Sequence, residues 1–293
     1  MPTTVTPSHL DKELFPKNAI TKGELIEHYR AVAGRMLPHL QDRPLAVRRY
    51  PDGIDGESIF QQAVPPDAPS WLRRASVPDG DGEVSRLLCQ DEQTLVYLAD
   101  QAAVTLQTWL SRIDLPEHPD QVLFDLDPPH DFDEAVQAAL ALRGLLDELG
   151  LPSLVKTTGR RGLHVSVPLV RRYQAEELRN FARSVRATLA LREPERFTDE
   201  MSKDKRGNRP FVDVSRNGYG ESAVAPYTVR ANPDALVATP VGWSELEEAS
   251  MTPEQFTLRD MAQRLDQPDP WRDPPEPVSS LATARERIGD LPT

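Results

Sequence analysis

Hydrophobic residues along the chain change repeatedly between helical and strand spacing, which predicts a mixed fold. Helical spacing covers residues 22–37, 91–110, a stretch that begins after Asp131, and 174–191. Alternating or continuous apolar runs predict strands over residues 45–50, 121–127, 153–157, 163–168 and 210–214. Because helices and strands do not alternate strictly, the pattern favours an α+β fold over a doubly wound parallel sheet.

Two of the predicted helices carry capping residues at their ends. Thr21 and Glu24 have the spacing of a capping box, in which each side chain hydrogen-bonds to the backbone of the other residue. Asp131 and Glu134 can cap the helix that follows residues 121–127, and Gly150 suits the position just after its last turn. These local signals predict where both helices begin.

Turn and loop residues separate these elements. Residues 51–53 (Pro-Asp-Gly) predict a turn, residues 64–71 a proline-rich loop, and the acidic residues 78–83 a hairpin tip or mobile loop. The last stretch, residues 231–293, is rich in proline and acidic residues and is predicted to contain two short helices.

The length of 293 residues is sufficient for one large domain, which we expect to span residues 1–293 and to end in a Pro-rich acidic tail over residues 266–293. Cys89 is the only cysteine, which excludes an intramolecular disulfide and cysteine-based zinc or iron–sulfur sites. No apolar run reaches the ~18 residues of a membrane span, and the amino terminus lacks a signal-peptide run. We therefore expect a cytoplasmic chain with no membrane partner.

The net charge of −12 is unevenly distributed. Residues 156–230 contain 16 Lys and Arg against 9 Asp and Glu, a local charge of +7, which leaves −19 for the remainder. An acidic chain is an unfavourable partner for nucleic acid, but a basic middle segment is compatible with one phosphate-binding face. Solvated surface arginines would give the same counts, so both interpretations stay open.

Two aspartates share one face at the end of the predicted strand 121–127. Side chains alternate along a strand, so its apolar residues point toward a core while Asp125 and Asp127 point the other way. Neighbouring carboxylates repel each other unless positive charge lies between them, and a divalent metal can supply that charge. A strand that ends in a solvated acidic turn is the alternative.

A third acid, Asp213, lies between two valines in a predicted strand. An acid embedded in an apolar strand needs a partner, because burying an unpaired charge is costly. Asp213 is therefore either paired with an arginine such as Arg206 or Arg216, or a third ligand for the metal held by Asp125 and Asp127.

Residues 158–164 (Thr-Gly-Arg-Arg-Gly-Leu-His) combine groups that bind anions. The two glycines permit positive φ and close approach of backbone N–H groups to an anion, and Thr158 supplies a hydroxyl. Arg161 supplies a guanidinium, and His164 emerges beside the loop. These groups could line a triphosphate pocket, while an ordinary hairpin tip with solvated arginines is the alternative.

Together, the acids and the loop describe one type of reaction. Carboxylates hold two Mg²⁺ or Mn²⁺ ions, which activate an attacking 3′-hydroxyl and stabilise the pyrophosphate leaving group, while basic groups hold the triphosphate. The protein then contributes positioning and charge rather than a covalent nucleophile.

Three stretches of the chain resemble the signature motifs of the archaeo-eukaryotic primase superfamily: VLFDLDPP, VKTTGRRGLHVSVPL and MSKDKRGNRPFVDVSRNGYGESAVAPYTVR. More narrowly, they resemble the polymerase domain of the bacterial end-joining ligase LigD and its stand-alone relatives. The similarity extends over roughly residues 9–265. Each motif alone is unspecific, whereas their order and joint presence are very specific.

The resemblance implies an α+β primase-polymerase core with mixed or antiparallel sheets, flanking helices and a smaller packed N-terminal portion. It implies a template-dependent nucleotidyltransferase that fills short gaps or extends DNA ends in repair, with NTPs or dNTPs as substrates and Mn²⁺ or Mg²⁺ as cofactor. The implied partners are gapped or broken DNA with a 5′-phosphate, a separate ATP-dependent DNA ligase and Ku. We expect a monomer at the bacterial nucleoid.

The resemblance also implies roles for individual residues. The metal-binding triad corresponds to Asp125, Asp127 and Asp213. The residues that match nucleotide contacts are Thr158, Arg161, His164, Arg206 and Arg230. Lys12 and Lys22 match residues that grip the 5′-phosphate beyond a gap, and Phe60 matches an aromatic residue that stacks on the template.

The chain departs from the family pattern at three positions. Ile59 replaces the other aromatic residue of the stacking pair, Gln62 stands where a lysine is usual, and Gln107 stands where histidine is frequent. Base stacking on an aromatic residue contributes ~1–3 kcal/mol per base, so the first change weakens the template contact. With a short acidic loop at residues 78–83, the chain is expected to fill gaps rather than bridge broken ends.

Two other functions are compatible with parts of the pattern. A polymerase-like protein without activity could bind DNA ends and recruit a ligase, although the intact Asp125, Asp127, Asp213 and His164 argue against this. A haloacid-dehalogenase-like phosphatase also has a strand ending in Asp-x-Asp, but Pro128 and Pro129 break the usual continuation of that motif.

Overall fold

The computed structural model describes residues 5–80, 82–128, 130–200, 202, 204, 206–207, 209–248 and 251–290. Contacts between residues divide the chain into two compact units. Unit 1 comprises residues 1–114, 222–239 and 254–269, and unit 2 comprises residues 115–221, 240–253 and 270–293. Both units combine helices with antiparallel sheets, which confirms the predicted α+β class.

Unit 1 is built around a four-stranded antiparallel sheet. Its helices are α1 (Lys22–Leu40), α2 (Glu92–Asp100) and α6 (Met261–Leu265). Its strands are β1 (Glu13–Phe15), β2 (Ile20–Thr21), β3 (Leu45–Arg49), β4 (Ile59–Gln61), β5 (Arg74–Asp79), β6 (Gly82–Leu87), β7 (Ala103–Trp109) and β12 (Ser222–Val224). The sheet order is β12-β7-β3-β4, while β1–β2 and β5–β6 form separate pairs.

Local sequence signals explain the start of α1 and the hairpin. The capping box of Thr21 and Glu24 is confirmed, and the apolar stripe behind it is buried. The acidic tip predicted over residues 78–83 is the turn of the β5–β6 hairpin, with Gly80 at φ +59°. Asp81 within that tip lies outside the described residues.

The single helix predicted over residues 91–110 is wrong. Helix α2 ends at Asp100, and the chain reverses at Ala102, which has φ +55° and accepts a hydrogen bond from the Tyr50 N–H. The following segment forms β7, because its β-branched residues pack well on a pleated sheet and its edges pair with β3 and β12. Alanine and leucine spacing fits a helix equally well, so tertiary pairing decided between the two structures.

Unit 2 is built around a five-stranded antiparallel sheet with the order β11-β8-β10-β9-β13. Its strands are β8 (Gln121–Asp127), β9 (Leu154–Thr157), β10 (Leu163–Pro168), β11 (Phe211–Asp213) and β13 (Pro240–Val241). Its helices are α3 (Phe132–Glu148), α4 (Ala175–Arg192), α5 (Trp243–Leu246) and α7 (Ala282–Asp290). The predicted cap at Asp131 is confirmed, and Gly150 has φ +74° just after α3.

The segment predicted as a Pro-rich acidic tail packs onto unit 2. Val278 forms a parallel bridge with Leu169, and the buried Leu281 donates its N–H to the Tyr173 hydroxyl. Helix α7 contacts α4, and Arg287 caps the last turn of α3 through the Glu148 carbonyl. The described part of residues 231–293 contains three short α-helices, α5, α6 and α7, and a 3₁₀ helix, Pro253–Gln255, rather than the predicted two helices. Among the described residues, no helix combines the length and apolarity that crossing a membrane requires.

Candidate active site

One face of the unit 2 sheet carries a row of polar side chains from four neighbouring strands. Asp213 on β11 lies directly opposite Asp125 on β8, and Asp125 lies opposite His164 on β10. His164 in turn lies opposite Lys156 on β9. Directly opposite residues of antiparallel strands have their side chains on one face, with Cβ atoms ~4.5–5.5 Å apart. Strand pairing therefore brings together two acids, an imidazole and an ammonium group.

Asp125 is the centre of this row. Its Oδ1 lies 3.4 Å from Nε2 of the buried His164. Burial raises the pKa of Asp125, but His164, Arg216 and Lys156 together outweigh that effect and hold the pKa below its ordinary value. Asp125 is therefore ionised at neutral pH, which is the form that binds a cation.

Asp213 and Asp127 complete the group of acids. Oδ1 of Asp213 accepts a hydrogen bond from the Ser215 N–H at 2.8 Å, so the backbone orients this carboxylate. Asp127 is exposed and lies two residues beyond Asp125 on β8, on the same face. The ion pair considered for Asp213 is not formed with Arg216, whose Nη1 lies 3.4 Å from Glu221.

The three carboxylates provide the hard oxygen donors that Mg²⁺ and Mn²⁺ prefer. Within the described part of the chain, no group of three or more His, Cys, Asp or Glu is placed so that it could hold a metal ion. The ladder nevertheless keeps all three Cβ atoms on one face of the sheet. The donor chemistry and the shared face fit a divalent metal.

The loop of residues 158–162 is anchored to the acid-bearing strand. The N–H and hydroxyl of Thr158 both donate to the Gly162 carbonyl, at 3.0 and 3.1 Å, and Gly159 has φ +64°. A Cβ atom on Gly162 would lie 2.5 Å from the Leu126 carbonyl oxygen, so only glycine fits there. Leu126 lies between Asp125 and Asp127, and the loop therefore packs directly on the acidic end of β8.

The exposed side of this loop is basic. Arg160 and Arg161 are exposed, and Arg161 donates to the His130 carbonyl at 3.1 Å. The Thr158 hydroxyl, predicted to contact a nucleotide, also supports the turn of the loop through the Gly162 carbonyl. The roles of Thr158, Arg161 and His164 toward a nucleotide stay predictions.

Arg206, also predicted at the nucleotide site, packs against the edge strand of the same sheet. Its guanidinium lies 3.7 Å from the centre of the Phe211 ring, and Phe211 is directly opposite Asp127. Arg206 also donates from Nε to the Glu200 carbonyl at 3.0 Å. Other residues of the basic stretch 201–209, namely 201, 203, 205 and 208, lie outside the described part of the chain.

The two lysines predicted to grip DNA differ in their surroundings in unit 1. Lys12 is exposed, and its Nζ lies 3.2 Å from the exposed Asp52. Lys22 is buried, and its Nζ lies 2.8 Å from Asp100 and 3.2 Å from the Asp100 carbonyl oxygen. Exchanging Asp52 for a phosphate would therefore cost Lys12 little free energy, because their ion pair is exposed. Breaking the buried ion pair of Lys22 would cost much more.

Four further positions considered in the sequence also lie in unit 1. Phe60 and Ile59 are exposed on the edge strand β4, and the Arg48 guanidinium lies 5.1 Å from the centre of the Phe60 ring. Gln107 accepts a hydrogen bond from the Ser222 hydroxyl at 2.9 Å. Arg230 donates its backbone N–H to the Leu236 carbonyl at 2.8 Å, next to the buried Val229.

The sequence reasoning missed two residues beside the acids, and it named Arg216 only as a partner for Asp213, whereas Arg216 lowers the pKa of Asp125. The first of the two, Lys156, is buried in the row of polar side chains. Asn217, which is 1% exposed, hydrogen-bonds to β8. Only Lys156 had a detectable signal, because a lysine within a short strand that is predicted to be buried is unusual.

Comparisons with known proteins agree with this fold. A family model described as the LigD primase-polymerase domain matches residues 21–271. The Bacillus subtilis bifunctional non-homologous end joining protein LigD is 35% identical over 285 residues, covering 93% of this chain and 45% of that protein. The Pseudomonas aeruginosa multifunctional non-homologous end joining protein LigD is also 35% identical, covering 96% of this chain and 33% of that protein.

A solved structure shares the fold. The polymerase domain from Mycobacterium tuberculosis Ligase D in complex with DNA has a TM-score of 0.87 and 29% identity, covering 92% of this chain and 99% of that one. The fold is thus of the archaeo-eukaryotic primase-polymerase class. The chain belongs to the LigD primase-polymerase domain family, which confirms the predicted resemblance. It spans less than half the length of the two curated LigD relatives.

Proposed function

We propose that this chain is a template-dependent nucleotidyltransferase that adds ribo- or deoxynucleotides to a 3′-hydroxyl and fills short gaps in DNA repair. Homology to LigD supports a primase-polymerase role in repair. The observation that carries the proposal is the pairing of Asp213 with Asp125 and of Asp125 with His164 in one row across the unit 2 sheet.

In this proposal, Asp125, Asp127 and Asp213 would hold Mg²⁺ or Mn²⁺. A divalent ion would supply the positive charge that activates the 3′-hydroxyl and offsets the charge of the pyrophosphate leaving group. His164 would orient one phosphate oxygen of the incoming nucleotide, and its burial next to Asp125 supports this role. The strand ladder fixes the backbone positions of these residues on one face, and metal binding would bring their carboxylates together.

The basic loop supplies the anion-binding part of the site. Gly162 holds the loop against Leu126, and Arg161 extends from it into solvent. A triphosphate bound there would lie next to the carboxylates that hold the metal. Arg206 and Arg230 are proposed as further nucleotide contacts on the basis of the family match alone.

DNA is the proposed partner, because the structurally similar polymerase domain from Mycobacterium tuberculosis was solved in complex with DNA. Lys12 is the proposed contact for a 5′-phosphate beyond the gap, and Phe60 for the template base. Ku and a separate ATP-dependent DNA ligase are the proposed protein partners at the nucleoid, in view of the end-joining names of the relatives.

Primer extension tests the proposed function. Purified protein is incubated with a 5′-phosphorylated gapped duplex, each NTP and dNTP, and Mg²⁺ or Mn²⁺. Asp125→Ala and Asp127→Ala should each lower the rate of nucleotide addition by at least about 10³-fold, because removing one carboxylate removes a metal ligand. Gap binding, measured by fluorescence anisotropy, should change less than about twofold.

The same assay separates the polymerase from a recruiter without activity. Wild-type protein that binds the gap but adds no nucleotide under any of these conditions would identify a recruiter. A variant that carries both Asp125→Ala and Asp127→Ala but still extends the primer would show that these acids are not the metal site. Arg143→Gln serves as a control for loss of a charged side chain, because Arg143 pairs with Glu247 and lies outside the row of acids.

A further inference from the structure

The side chain of Asn217 replaces part of the hydrogen-bond ladder next to the acids. Asn217 lies in a 3₁₀ turn, Ser215–Asn217, directly after β11. Its Oδ1 accepts the Leu123 N–H at 2.8 Å, and its Nδ2 donates to the Leu123 carbonyl at 2.7 Å. The same Nδ2 donates to the Val214 carbonyl at 2.8 Å. The carboxamide therefore uses its acceptor and both donors in a fully buried position.

The lengths of the strands explain why this replacement is needed. Strand β10 pairs with β8 from Gln121 to Leu126, whereas β11 pairs with its other edge only from Asp127 to Asp125. Leu123 lies two residues before Asp125 and would leave a buried N–H and carbonyl unpaired on that edge. Asn217 satisfies both groups, as a further strand residue would do. It thus continues the pairing of β11 with β8 by one step.

This contact surrounds the residues that define the acidic group. The turn between β11 and Asn217 contains the Ser215 N–H, which orients Asp213, and Arg216, whose charge acts on Asp125. The ladder holds one end of this short segment, and Asn217 holds the other. Without Asn217, Asp213 would be the last paired residue of a three-residue edge strand, where fraying is easiest.

We propose that Asn217 is a positioning residue that holds Asp213 and Arg216 in register with Asp125 and so sets the affinity for a divalent ion. The inference rests on the proposed function only in that it takes these acids to be the metal site. Residues that orient metal ligands typically change metal affinity by ~10–100-fold when they are removed. The expected effect is therefore on metal binding itself, before any nucleotide or DNA is added.

Mn²⁺ binding to the whole chain tests this inference, with free Mn²⁺ followed by electron paramagnetic resonance. Asn217→Ala should weaken Mn²⁺ binding by about tenfold or more, with gap binding unchanged within about twofold. Asn217→Asp keeps the acceptor for the Leu123 N–H and loses both donations, so it should also weaken Mn²⁺ binding. Raising Mn²⁺ should restore much of the extension rate of Asn217→Ala.

Trp243→Phe is the matched control. It removes one hydrogen bond from a side chain to the backbone, from Trp243 Nε1 to the Ser153 carbonyl, near the opposite edge of the sheet. Thermal unfolding of all variants identifies general loss of structure. Trp243→Phe should lower the unfolding temperature without changing Mn²⁺ affinity. If lower stability alone weakened Mn²⁺ binding, Trp243→Phe would weaken it too.

The outcomes distinguish this inference from the proposed function. Folded Asn217 variants with wild-type Mn²⁺ affinity would overturn it while leaving a polymerase intact. Variants that do not fold would also overturn it, because Asn217 would then serve the fold rather than the acids. If the wild type binds Mn²⁺ more tightly than the Asn217 variants but adds no nucleotide, the role of Asn217 would be supported and the polymerase function refuted. Absence of Mn²⁺ binding by the wild type would refute both.

Discussion

At the residue scale, His28 is a buried imidazole whose protonation is coupled to folding. It lies on the inner face of α1, and its Nε2 donates to the Tyr227 carbonyl at 2.9 Å. Burial lowers the pKa of His28 from 6.5 to about 4, and the hydrogen bond to Tyr227 offsets only part of this effect. Above pH 6.5 the imidazole is neutral in the folded and unfolded states. Below it, the unfolded chain binds a proton first, so folding loses stability as pH falls toward 4.

Replacing His28 should therefore change how stability depends on pH. The free energy of unfolding of the wild type should include a loss of about 3 kcal/mol between pH 6.5 and 4 that comes from His28. His28→Gln removes this titration and should give a shallower decline, measured by urea unfolding at several pH values. His9→Asn is the control, because His9 is exposed and has φ +48°, which asparagine tolerates. Parallel pH curves for the wild type and His28→Gln would contradict this assignment.

At the element scale, periodicity and caps predicted most helices and strands correctly. The capping box at Thr21 and the cap at Asp131 act over three residues, so they can be identified without knowledge of the fold. The failure at residues 91–110 has the opposite cause. The reversal at Ala102 and the pairing of β7 with β3 depend on strands distant in sequence. A local pattern that fits two structures is decided by its neighbours.

The contact of Gly162 with β8 gives a prediction at this scale. Gly162→Ala places a Cβ atom 2.5 Å from the Leu126 carbonyl oxygen, so the loop and the acid strand must move apart. Stability should fall by about 1–3 kcal/mol, and nucleotide affinity, measured by calorimetry in the presence of Mn²⁺, should fall by more than about tenfold. Gly144→Ala is the control, because Gly144 is exposed on α3 with open space around its Cβ position. That substitution should raise stability by about 0.5–1 kcal/mol. Unchanged nucleotide affinity in Gly162→Ala would show that the loop does not bind the triphosphate.

At the scale of the whole molecule, the charge of the basic middle segment is partly neutralised within the protein. Several arginines of α4 and the segment after it have acidic partners: Arg179 and Arg183 contact Glu176, Arg186 contacts Asp199, Arg192 contacts Glu148, and Arg196 contacts Glu193. Glu176, Asp199 and Glu193 are already counted in the local charge of +7, so these ion pairs determine where the free positive charge lies rather than reduce the total. Only Arg192 pairs with an acid outside the segment. Phosphate binding depends more on cations with weak partners, such as Lys12.

The salt dependence of gap binding should separate Lys12 from Lys22. The logarithm of the DNA-binding constant decreases linearly with the logarithm of the salt concentration. The steepness of this line decreases by about 0.9 for each phosphate that the protein no longer neutralises. Lys12→Gln should reduce the slope by about this amount, and only for a gap with a 5′-phosphate. Lys22→Gln should instead destabilise the fold by about 3–5 kcal/mol, because it leaves Asp100 without its buried partner. If Lys22→Gln lowered the slope in a stably folded protein, Lys22 would be a phosphate contact rather than a structural residue.

The sequence by itself determined the candidate acids and most of the elements that carry them. Period-two alternation placed Asp125 and Asp127 on one face, and the glycines of residues 158–162 indicated a tight loop, because both properties depend on neighbours in the chain. The motif order was sufficient for the family. Five of the predicted strands and the starts of the longest helices required nothing more.

Only the tertiary structure decided which of these residues meet. The register of β11 on β8 places Asp213 opposite Asp125, and the register of β9 on β10 adds Lys156 to the same row. The fold also buries Lys22 against Asp100. It brings Asn217 next to Leu123, whose backbone N–H donates to the Asn217 side chain. Register and burial depend on which distant segments pair, and pairing is a property of the whole chain's packing rather than of any local pattern.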